Sequence, residues 1–219
     1  MRLLWQLVAV SVFSVLAIVA QPSAARTANE DTIQDVLMFN GVYLFGDSIA
    51  KQDGPALERR LLSRSGDPIA MDSRPGRATR EAVDVLEDWS HRYGLPTRIV
   101  MAVGSNDVFD PRAFASQVER TMRIAGPDRT VFWVDVYVRR TRQPGAVQAV
   151  DQRNSALINR QLEAAAGRHP RLRVIHWAEF LTARPSRIRT SLRDGVHTTV
   201  PTGQDARNQL IVDALTQPR

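Results

Sequence analysis

The chain of 219 residues contains no cysteine. Disulfides, thiolate catalysis and cysteine-based metal sites are therefore excluded. Histidine is also scarce, and its few copies lie far apart without an HExxH pair, which argues against a zinc enzyme. The histidines are His91, His169, His176 and His197.

Lysine is almost absent, since Lys51 is the only lysine among 29 basic residues. Coding bias in a GC-rich genome explains this preference for arginine. The formal net charge of +6 still favours anionic partners such as wall polymers or membrane surfaces. The arginines are scattered through predicted helices and are not grouped with stacking aromatic residues, so we expect no nucleic-acid partner.

The N-terminus has the pattern of an export signal. Arg2 precedes an apolar run from Leu3 to Ala20, and Ser23-Ala24-Ala25 has the small-x-small form of a cleavage site. The apolar run is at the lower edge of the length that spans a membrane. Residues 1–25 are therefore predicted to be a signal peptide or an N-terminal membrane anchor. In either form the rest of the chain is secreted or held at the outer face of the cytoplasmic membrane.

The exported part carries no clear linker, repeat or low-complexity tract, and its length suits one domain. Residues 26–38 are predicted to be a short polar lead-in, and residues 39–219 a single domain. Short apolar runs typical of buried parallel strands alternate with amphipathic helical segments. The predicted strands are Val42–Phe45, Pro68–Met71, Arg98–Val103, Val131–Val136 and Leu172–Ile175. The predicted helices cover residues 54–64, 111–125, 148–167 and 203–216, and Arg80–Tyr93 is the clearest of them.

This alternation predicts an α/β fold, a three-layer α/β/α sandwich around a flavodoxin-like five-stranded parallel sheet of order 2-1-3-4-5. In such sheets the functional groups lie at the carboxyl ends of the strands. Gly46-Asp47-Ser48 follows the first strand, Gly76 lies in a turn after the second, and Asn106 follows the third. The predicted order makes these three segments neighbours.

Near the C-terminus, Asp194 and His197 are three residues apart, close enough for the carboxylate to hold the imidazole tautomer. Ser48, His197 and Asp194 therefore form a candidate catalytic triad. The backbone N–H groups of Ser48 and Gly76 and the side-chain amide of Asn106 are candidate oxyanion donors. Each piece alone is also compatible with an ordinary turn, a helix cap or a solvated pair. Their order along the chain favours the catalytic interpretation.

Together, Gly46-Asp47-Ser48, Gly76, Gly104-x-Asn106-Asp107 and Asp194-x-x-His197 resemble the four sequence blocks of the SGNH, or GDSL-type, hydrolases. The resemblance implies a Ser-His-Asp triad, an oxyanion hole made by Ser, Gly and Asn, and no metal or organic cofactor. Longer segments such as "VMAVGSNDVFD" and "DGVHTT" are similar to the extracellular SGNH domain of bacterial cell-wall O-acetyltransferases.

In those relatives a membrane acyltransferase part with several helices precedes the domain. Here we expect at most one N-terminal hydrophobic segment. The resemblance is thus compatible with a free-standing esterase, or with a transferase that receives acyl groups from a separate membrane protein.

Several arginines stand near the predicted site. Arg74 and Arg77 flank Gly76, and Arg139, Arg140 and Arg142 follow the fourth strand. They are candidates to bind an anionic or sugar-rich substrate, and loop stabilisation or simple solvation is the alternative for each.

The leading hypothesis is an exported serine esterase or O-acyltransferase that acts on short acyl esters of cell-wall carbohydrate through an acyl-enzyme. The alternatives are a non-catalytic wall-binding domain on the same fold and a lipase or esterase acting on lipids.

Overall fold

A computed structural model describes residues 26–27 and 29–217, so the predicted signal or anchor at residues 1–25 lies outside the described residues. The strands are β1 (Arg26–Thr27), β2 (Val42–Gly46), β3 (Ile69–Ser73), β4 (Arg98–Ala102), β5 (Thr130–Val134) and β6 (Leu172–Ile175). The helices are α1 (Glu30–Met38), α2 (Ser48–Ser65), α3 (Thr79–Arg92), α4 (Phe114–Ala125), α5 (Gly145–Ala166), α6 (Trp177–Thr182), α7 (Pro185–Ser191) and α8 (Thr202–Thr216). Two short 3₁₀ helices, Asp107–Phe109 and Pro111–Ala113, precede α4.

The sheet has the order β1-β3-β2-β4-β5-β6. Strands β2 to β6 are parallel, and counted in their own chain order they run 2-1-3-4-5. The predicted α/β fold and strand order are therefore confirmed. The two-residue strand β1 pairs antiparallel with β3 at the edge of the sheet, which the sequence pattern did not indicate.

Helices cover both faces of the sheet because successive side chains of each buried strand point to opposite faces. In β2, Tyr43 and Phe45 belong to one core cluster, whereas Val42 and Leu44 belong to the other. Helices α1, α3, α4 and α5 pack on the first face, and α2, α6 and α8 pack on the second. Within the described part of the chain, no helix has both the length and the apolar character that a membrane crossing requires.

The segment 26–38, predicted as a polar lead-in, instead contributes the edge strand β1 and helix α1. The side chain of Asn29 accepts a hydrogen bond from the N–H of Thr32 at 2.9 Å and caps the helix. Ile33 and Val36, three residues apart on one helical face, are buried in the core. Eight of the thirteen residues in the segment 26–38 are polar, and only Ile33 and Val36 of α1 are buried. The helical pattern is therefore weak, which explains why the sequence did not reveal α1.

Candidate active site

Ser48 is positioned by the junction between β2 and α2. The buried carboxylate of Asp47 accepts a hydrogen bond from the N–H of Ile49 at 2.9 Å and caps α2. A Cβ at Gly46 would lie 2.2 Å from the Cβ of Ala50, so the strand can turn this sharply into the helix only with glycine there. Ser48 is thereby the first residue of α2, and its N–H belongs to the first turn, which has no intrahelical acceptor.

The structure brings Ser48, His197 and Asp194 together. The Oγ of Ser48 lies 2.9 Å from Nε2 of His197, although the two residues are 149 positions apart. The Nδ1 atom of His197 lies 2.8 Å from Oδ2 of Asp194. The three side chains therefore form one continuous line of hydrogen bonds.

The carboxylate of Asp194 is held by its own loop. Its Oδ1 accepts hydrogen bonds from the N–H groups of Val196 at 3.0 Å and His197 at 2.8 Å. Burial, the largest influence, raises the pKa of Asp194, but the hydrogen bonds from His197 and Val196 outweigh it and leave the pKa below its usual value. An ionised Asp194 only accepts, so Nδ1 of His197 carries the proton and Nε2 is free to accept from the Ser48 hydroxyl.

Backbone contacts fix the loop that carries Asp194 and His197. The N–H of Arg139 donates to the Gly195 carbonyl at 2.9 Å, and the N–H of Thr141 donates to the Asp194 carbonyl at 3.0 Å. Gly195 has φ +82°, and a Cβ there would lie 1.8 Å from the carbonyl oxygen of Arg139. Glycine is therefore required both for the left-handed conformation and for the close approach.

Asn106 faces the same cavity as Ser48. Its Nδ2 donates to the carbonyl of Arg77 at 3.0 Å, and a primary amide has a second N–H that remains for a ligand. Gly76 has φ +73° and is exposed in the turn between Pro75 and Arg77. The structure thus places Asn106 beside Ser48, whereas Gly76 lies on the adjoining turn, outside the residues that line the cavity.

The cavity beside Ser48 has a volume of about 270 Å³. Its wall consists of the three hydrogen-bonded residues Ser48, His197 and Asp194, several polar and apolar side chains, and two arginines. The lining residues are Ser48, Ser105, Asn106, Val108, Phe109, Val138, Arg140, Arg142, Gln143, Asp194, Val196 and His197.

Two buried carboxyl groups, those of Asp47 and Asp107, hold the loops around Ser48 in place through hydrogen bonds. The hydroxyl of Ser105 donates to Asp47, and burial raises the pKa of Asp47. Asp107 accepts from the N–H of Thr79 at 2.9 Å and from its hydroxyl at 2.8 Å, so it satisfies the start of α3. Burial raises the pKa of Asp107 as well. The block Ser105-Asn106-Asp107 therefore ties the ends of three strands together and does not cap the helix near Pro111.

The structure corrects part of the prediction for the arginines. Arg77 is only 1% exposed and forms a buried ion pair with Asp72, so the prediction that it binds substrate is wrong. Burial of an arginine requires a paired carboxylate, and Asp72 at the end of β3 supplies one. Arg74 is exposed but lies outside the cavity wall.

Arg139 and Arg140, which follow β5, differ from each other. Arg139 lies outside the cavity wall, and its Nε donates to Oε1 of Gln148 at 2.9 Å. Arg140 lines the cavity, but its guanidinium is held by Asp151 through two bonds of 3.0 and 2.7 Å. The guanidinium also stacks 4.7 Å from the ring centroid of Phe109.

Several cavity residues were not among the predicted site residues. Ser105 and Phe109 are close in sequence to Asn106, and Phe109 is an apolar residue that is 66% exposed at the cavity wall. Their proximity to the Asn106 block was the available signal. Val196 lies inside the Asp194–His197 motif and had the same signal. Val138 and Gln143 carried no such signal, because only the folded loop brings them to Ser48.

Comparison with family models gives no match to this chain, and none of the curated proteins matches it. Solved structures do match. The C-terminal catalytic domain of peptidoglycan O-acetyltransferase A from Streptococcus pneumoniae, with a methylsulfonyl adduct, is 20% identical, with a TM-score of 0.59 over 80% of this chain and 89% of that one. A lipase/acylhydrolase from Enterococcus faecalis is 21% identical, with a TM-score of 0.64 over 80% and 94%.

A GDSL-like lipase from Bacteroides thetaiotaomicron is 17% identical, with a TM-score of 0.62 over 80% of this chain and 87% of that one. These similarities extend over most of each chain. Because the sequences are only 17–21% identical, they establish a shared fold. The chain has the fold of the SGNH-type hydrolases.

Proposed function

We propose that the protein is an exported serine esterase or O-acyltransferase that acts on short acyl esters of cell-wall carbohydrate. The observation that carries the proposal is the hydrogen-bonded line from Ser48 through His197 to Asp194, which opens into a cavity that also contains the Asn106 amide. A nucleophile, a base and an orienting carboxylate at these distances are the parts that acyl transfer requires.

In the proposed reaction the Oγ of Ser48 attacks the ester carbonyl while its proton passes to Nε2 of His197. The oxyanion that forms accepts hydrogen bonds from the N–H of Ser48 and the free N–H of Asn106. The N–H of Gly76 is the third proposed donor, on the turn that Asn106 holds through the Arg77 carbonyl. The leaving alcohol takes the proton from His197, and an acyl-serine remains.

A second half-reaction then releases the acyl group. His197 removes a proton from water or from a sugar hydroxyl, and the resulting oxygen nucleophile attacks the carbonyl carbon of the acyl-serine. The bond between that carbon and Oγ of Ser48 then breaks, and Oγ takes the proton back from His197. Water gives free acid and an esterase, whereas a sugar hydroxyl gives a new ester and a transferase. A separate membrane protein that supplies the acyl donor is compatible with either product.

Three features support a short acyl group on wall carbohydrate. The cavity of about 270 Å³ lies at the small end of the roughly 300–1,000 Å³ of clefts that take drug-sized ligands, which suits a short acyl chain. The net charge of +6 suits anionic wall polymers. One of the matched structures is a peptidoglycan O-acetyltransferase domain. Export by residues 1–25 would bring the protein to such a polymer.

The test measures turnover of 4-nitrophenyl acetate by the full-length protein in a detergent without ester bonds. Ser48→Ala is the test variant. Ser65→Ala, at the opposite end of α2, is the matched control. We expect Ser48→Ala to lower kcat by at least about 10³-fold and Ser65→Ala to leave it unchanged. Sugar oligomers are then added, and the products are examined by mass spectrometry.

The products separate the alternatives. Acylated sugars identify a transferase, and free acetate alone identifies an esterase. A strong preference for laurate over acetate esters would favour a lipid substrate. If the wild-type protein shows no more turnover than Ser48→Ala with any acyl length, the catalytic proposal fails, and retained wall binding would then support the non-catalytic alternative.

A further inference from the structure

The two arginines that line the cavity, Arg140 and Arg142, differ from each other. Arg77 is paired with Asp72, Arg140 is paired with Asp151, and Arg139 bonds to Gln148. Arg142 lines the cavity beside Ser48, but its guanidinium makes no hydrogen bond or ion pair with any residue that the structure describes. The cavity therefore contains one guanidinium whose donors are available to a ligand.

We propose that Arg142 is an anion-binding subsite, and that the preferred ester carries a carboxylate or phosphate group. This inference rests on the proposed esterase or acyltransferase function and adds the chemical class of its substrate. The guanidinium presents a fork of N–H donors that matches a carboxylate or a phosphate.

The charge balance of the cavity supports this assignment. Asp194 is the one carboxylate among the described lining residues, and it is engaged by His197 and by two backbone N–H groups. Arg140 is neutralised by Asp151, which stands behind the wall. Arg142 therefore carries the surplus positive charge, and an anion bound there faces no carboxylate that lacks its own partner.

The backbone around Arg142 is anchored, which limits the entropy lost when the side chain binds a ligand. The N–H of Thr141 donates to the Asp194 carbonyl at 3.0 Å, and the N–H of Gln143 donates to the Arg140 carbonyl at 2.9 Å. The side-chain amide of Gln148 also donates to the Gln143 carbonyl at 2.7 Å. The turn that carries Arg142 is thus tied directly to the loop that carries the proposed catalytic base.

The anionic group can stand on either part of the ester. On the alcohol side, the substrate would be an acylated acidic sugar, such as a uronic acid or a sugar phosphate. On the acyl side, it would be the half-ester of a short dicarboxylic acid. The shared feature is an anionic group beside a short apolar acyl segment that contacts the valines of the wall, Val108, Val138 and Val196.

The experiment compares matched charged and neutral esters on the full-length protein. Acetylated methyl glucuronide and its uncharged glucuronamide test the alcohol side. The 4-nitrophenyl esters of succinic and succinamic acid test the acyl side, and acetylated glucose 6-phosphate tests a phosphate. The variants are Arg142→Gln and Arg142→Lys. Arg64→Gln, an exposed arginine at the far end of α2, is the matched control.

We expect the wild-type protein to prefer the charged ester of at least one pair. Arg142→Gln should lower kcat/KM for that ester by about tenfold, as the loss of a charge-assisted hydrogen bond predicts, and should lower it clearly less for the neutral partner. Arg142→Lys should retain part of the preference, because it keeps the charge and loses the fork. Arg64→Gln should behave as wild type.

Equal effects of Arg142→Gln on charged and neutral esters, or no effect on either, would overturn the anion subsite while Ser48-dependent turnover still supported the proposed function. Absence of turnover with every ester would overturn the proposed function instead. In that case calorimetry in the Ser48→Ala background decides the subsite. Binding of methyl glucuronide and of glucose 6-phosphate is measured with and without Arg142→Gln. If neither ligand binds more weakly to the protein with Arg142→Gln, the inference is wrong.

Discussion

The two sides of the candidate site are built differently. The nucleophile side, Asp47 and Ser48, lies at a junction of regular elements, where a fully buried strand runs into a helix that its own buried carboxylate caps. The base side, Asp194 and His197, lies in a loop between α7 and α8 and is held by backbone bonds to residues 139 and 141. The first is positioned by the core of the sheet. The second is positioned by hydrogen bonds that join its loop to residues 139 and 141 and that join Thr198 to Gln52 and Asp53 of α2.

The acids of the two sides also differ in their chemistry. Burial raises the pKa of Asp47, whose partners are the Ser105 hydroxyl and the start of α2. The pKa of Asp194, which is 29% exposed, is lowered by hydrogen bonds from His197 and Val196 despite its partial burial. The buried acid therefore serves the architecture, whereas the acid near solvent stays ionised and can stabilise a cationic imidazole.

The largest effect is expected on the base side. In Asp194→Asn the amide keeps the oxygen that accepts from the Val196 and His197 N–H groups, but an NH₂ group can then face Nδ1 of His197. That arrangement favours the tautomer with the proton on Nε2, which cannot accept from Ser48. We expect a loss of about 10⁴ in kcat, measured with 4-nitrophenyl acetate.

The same variant has a test that depends on pH. The pKa of Asp194 is lower in the folded protein than in the unfolded chain. Its ionised carboxylate therefore stabilises the fold at pH above the unfolded pKa of about 3.9. That stabilisation is lost as the pH falls through the lower pKa of the folded state. The difference in unfolding free energy between wild type and Asp194→Asn should therefore shrink in acid. An unchanged kcat, or a gap that widens below about pH 4, would contradict the assigned roles.

Asn106 joins the two sides through the cavity, and its removal should have the next largest effect. Asn106→Ala removes the proposed oxyanion donor, so we expect kcat to fall by about 10²- to 10³-fold with a smaller change in KM. Asn154→Ala is the matched control, because the Nδ2 of Asn154 also donates to a carbonyl of the site, that of Val108 at 2.7 Å. A loss for Asn106→Ala no larger than the control's would show only a structural role.

Some features of both sides could be predicted from the sequence, and others could not. The end of β2 at Gly46 and the Asn106 block were predicted because each follows a short apolar strand. The Asp194–His197 pair was predicted from its three-residue spacing. Their convergence followed from the strand order. Five short apolar runs were enough to predict the order of the parallel strands. That order placed Ser48 between the Gly76 turn and the Asn106 block.

Side-chain partners could not be predicted in the same way. Nothing in the sequence shows that Arg77 is buried against Asp72, whereas Arg142 remains without a partner among the described residues. The distinction depends on three-dimensional contacts between loops that differ little in composition. For the same reason α1 was missed, since the burial of Ile33 and Val36 depends on the sheet edge against which they pack.

The anchoring of the base side can be tested at one glycine. Gly195→Ala places a Cβ against the Arg139 carbonyl and should displace the loop, with a loss of about 10²-fold in kcat/KM. Gly66→Ala is the control, because Gly66 has a similar φ of +75° but open space around it. We expect that variant to lose about 1 kcal/mol of stability and no activity. Comparable activity losses in both would show that the close approach at Gly195 is unimportant.

The nucleophile side should be the harder one to disturb, and Ser105→Ala tests this with the smallest expected effect. The variant removes one partner of the buried Asp47 carboxylate and should cost about 1–3 kcal/mol of unfolding free energy. The Ile49 N–H still holds Asp47, so kcat/KM should change by no more than about threefold. Ser116→Ala, which removes an exposed hydroxyl bond, should be nearly neutral.

The pH dependence of Ser105→Ala gives the sharper test. The Ser105 bond lowers the pKa of Asp47 against the effect of burial, so its loss raises that pKa further. A protonated Asp47 tolerates the missing partner better than an ionised one, and the stability deficit should therefore grow as pH rises above the unfolded pKa of about 3.9 and through the raised folded pKa. A constant deficit would mean that Asp47 does not titrate in the folded protein over this range. An activity collapse without loss of stability would mean that Ser105 acts on the substrate directly, and that the nucleophile side is not the rigid half of the site.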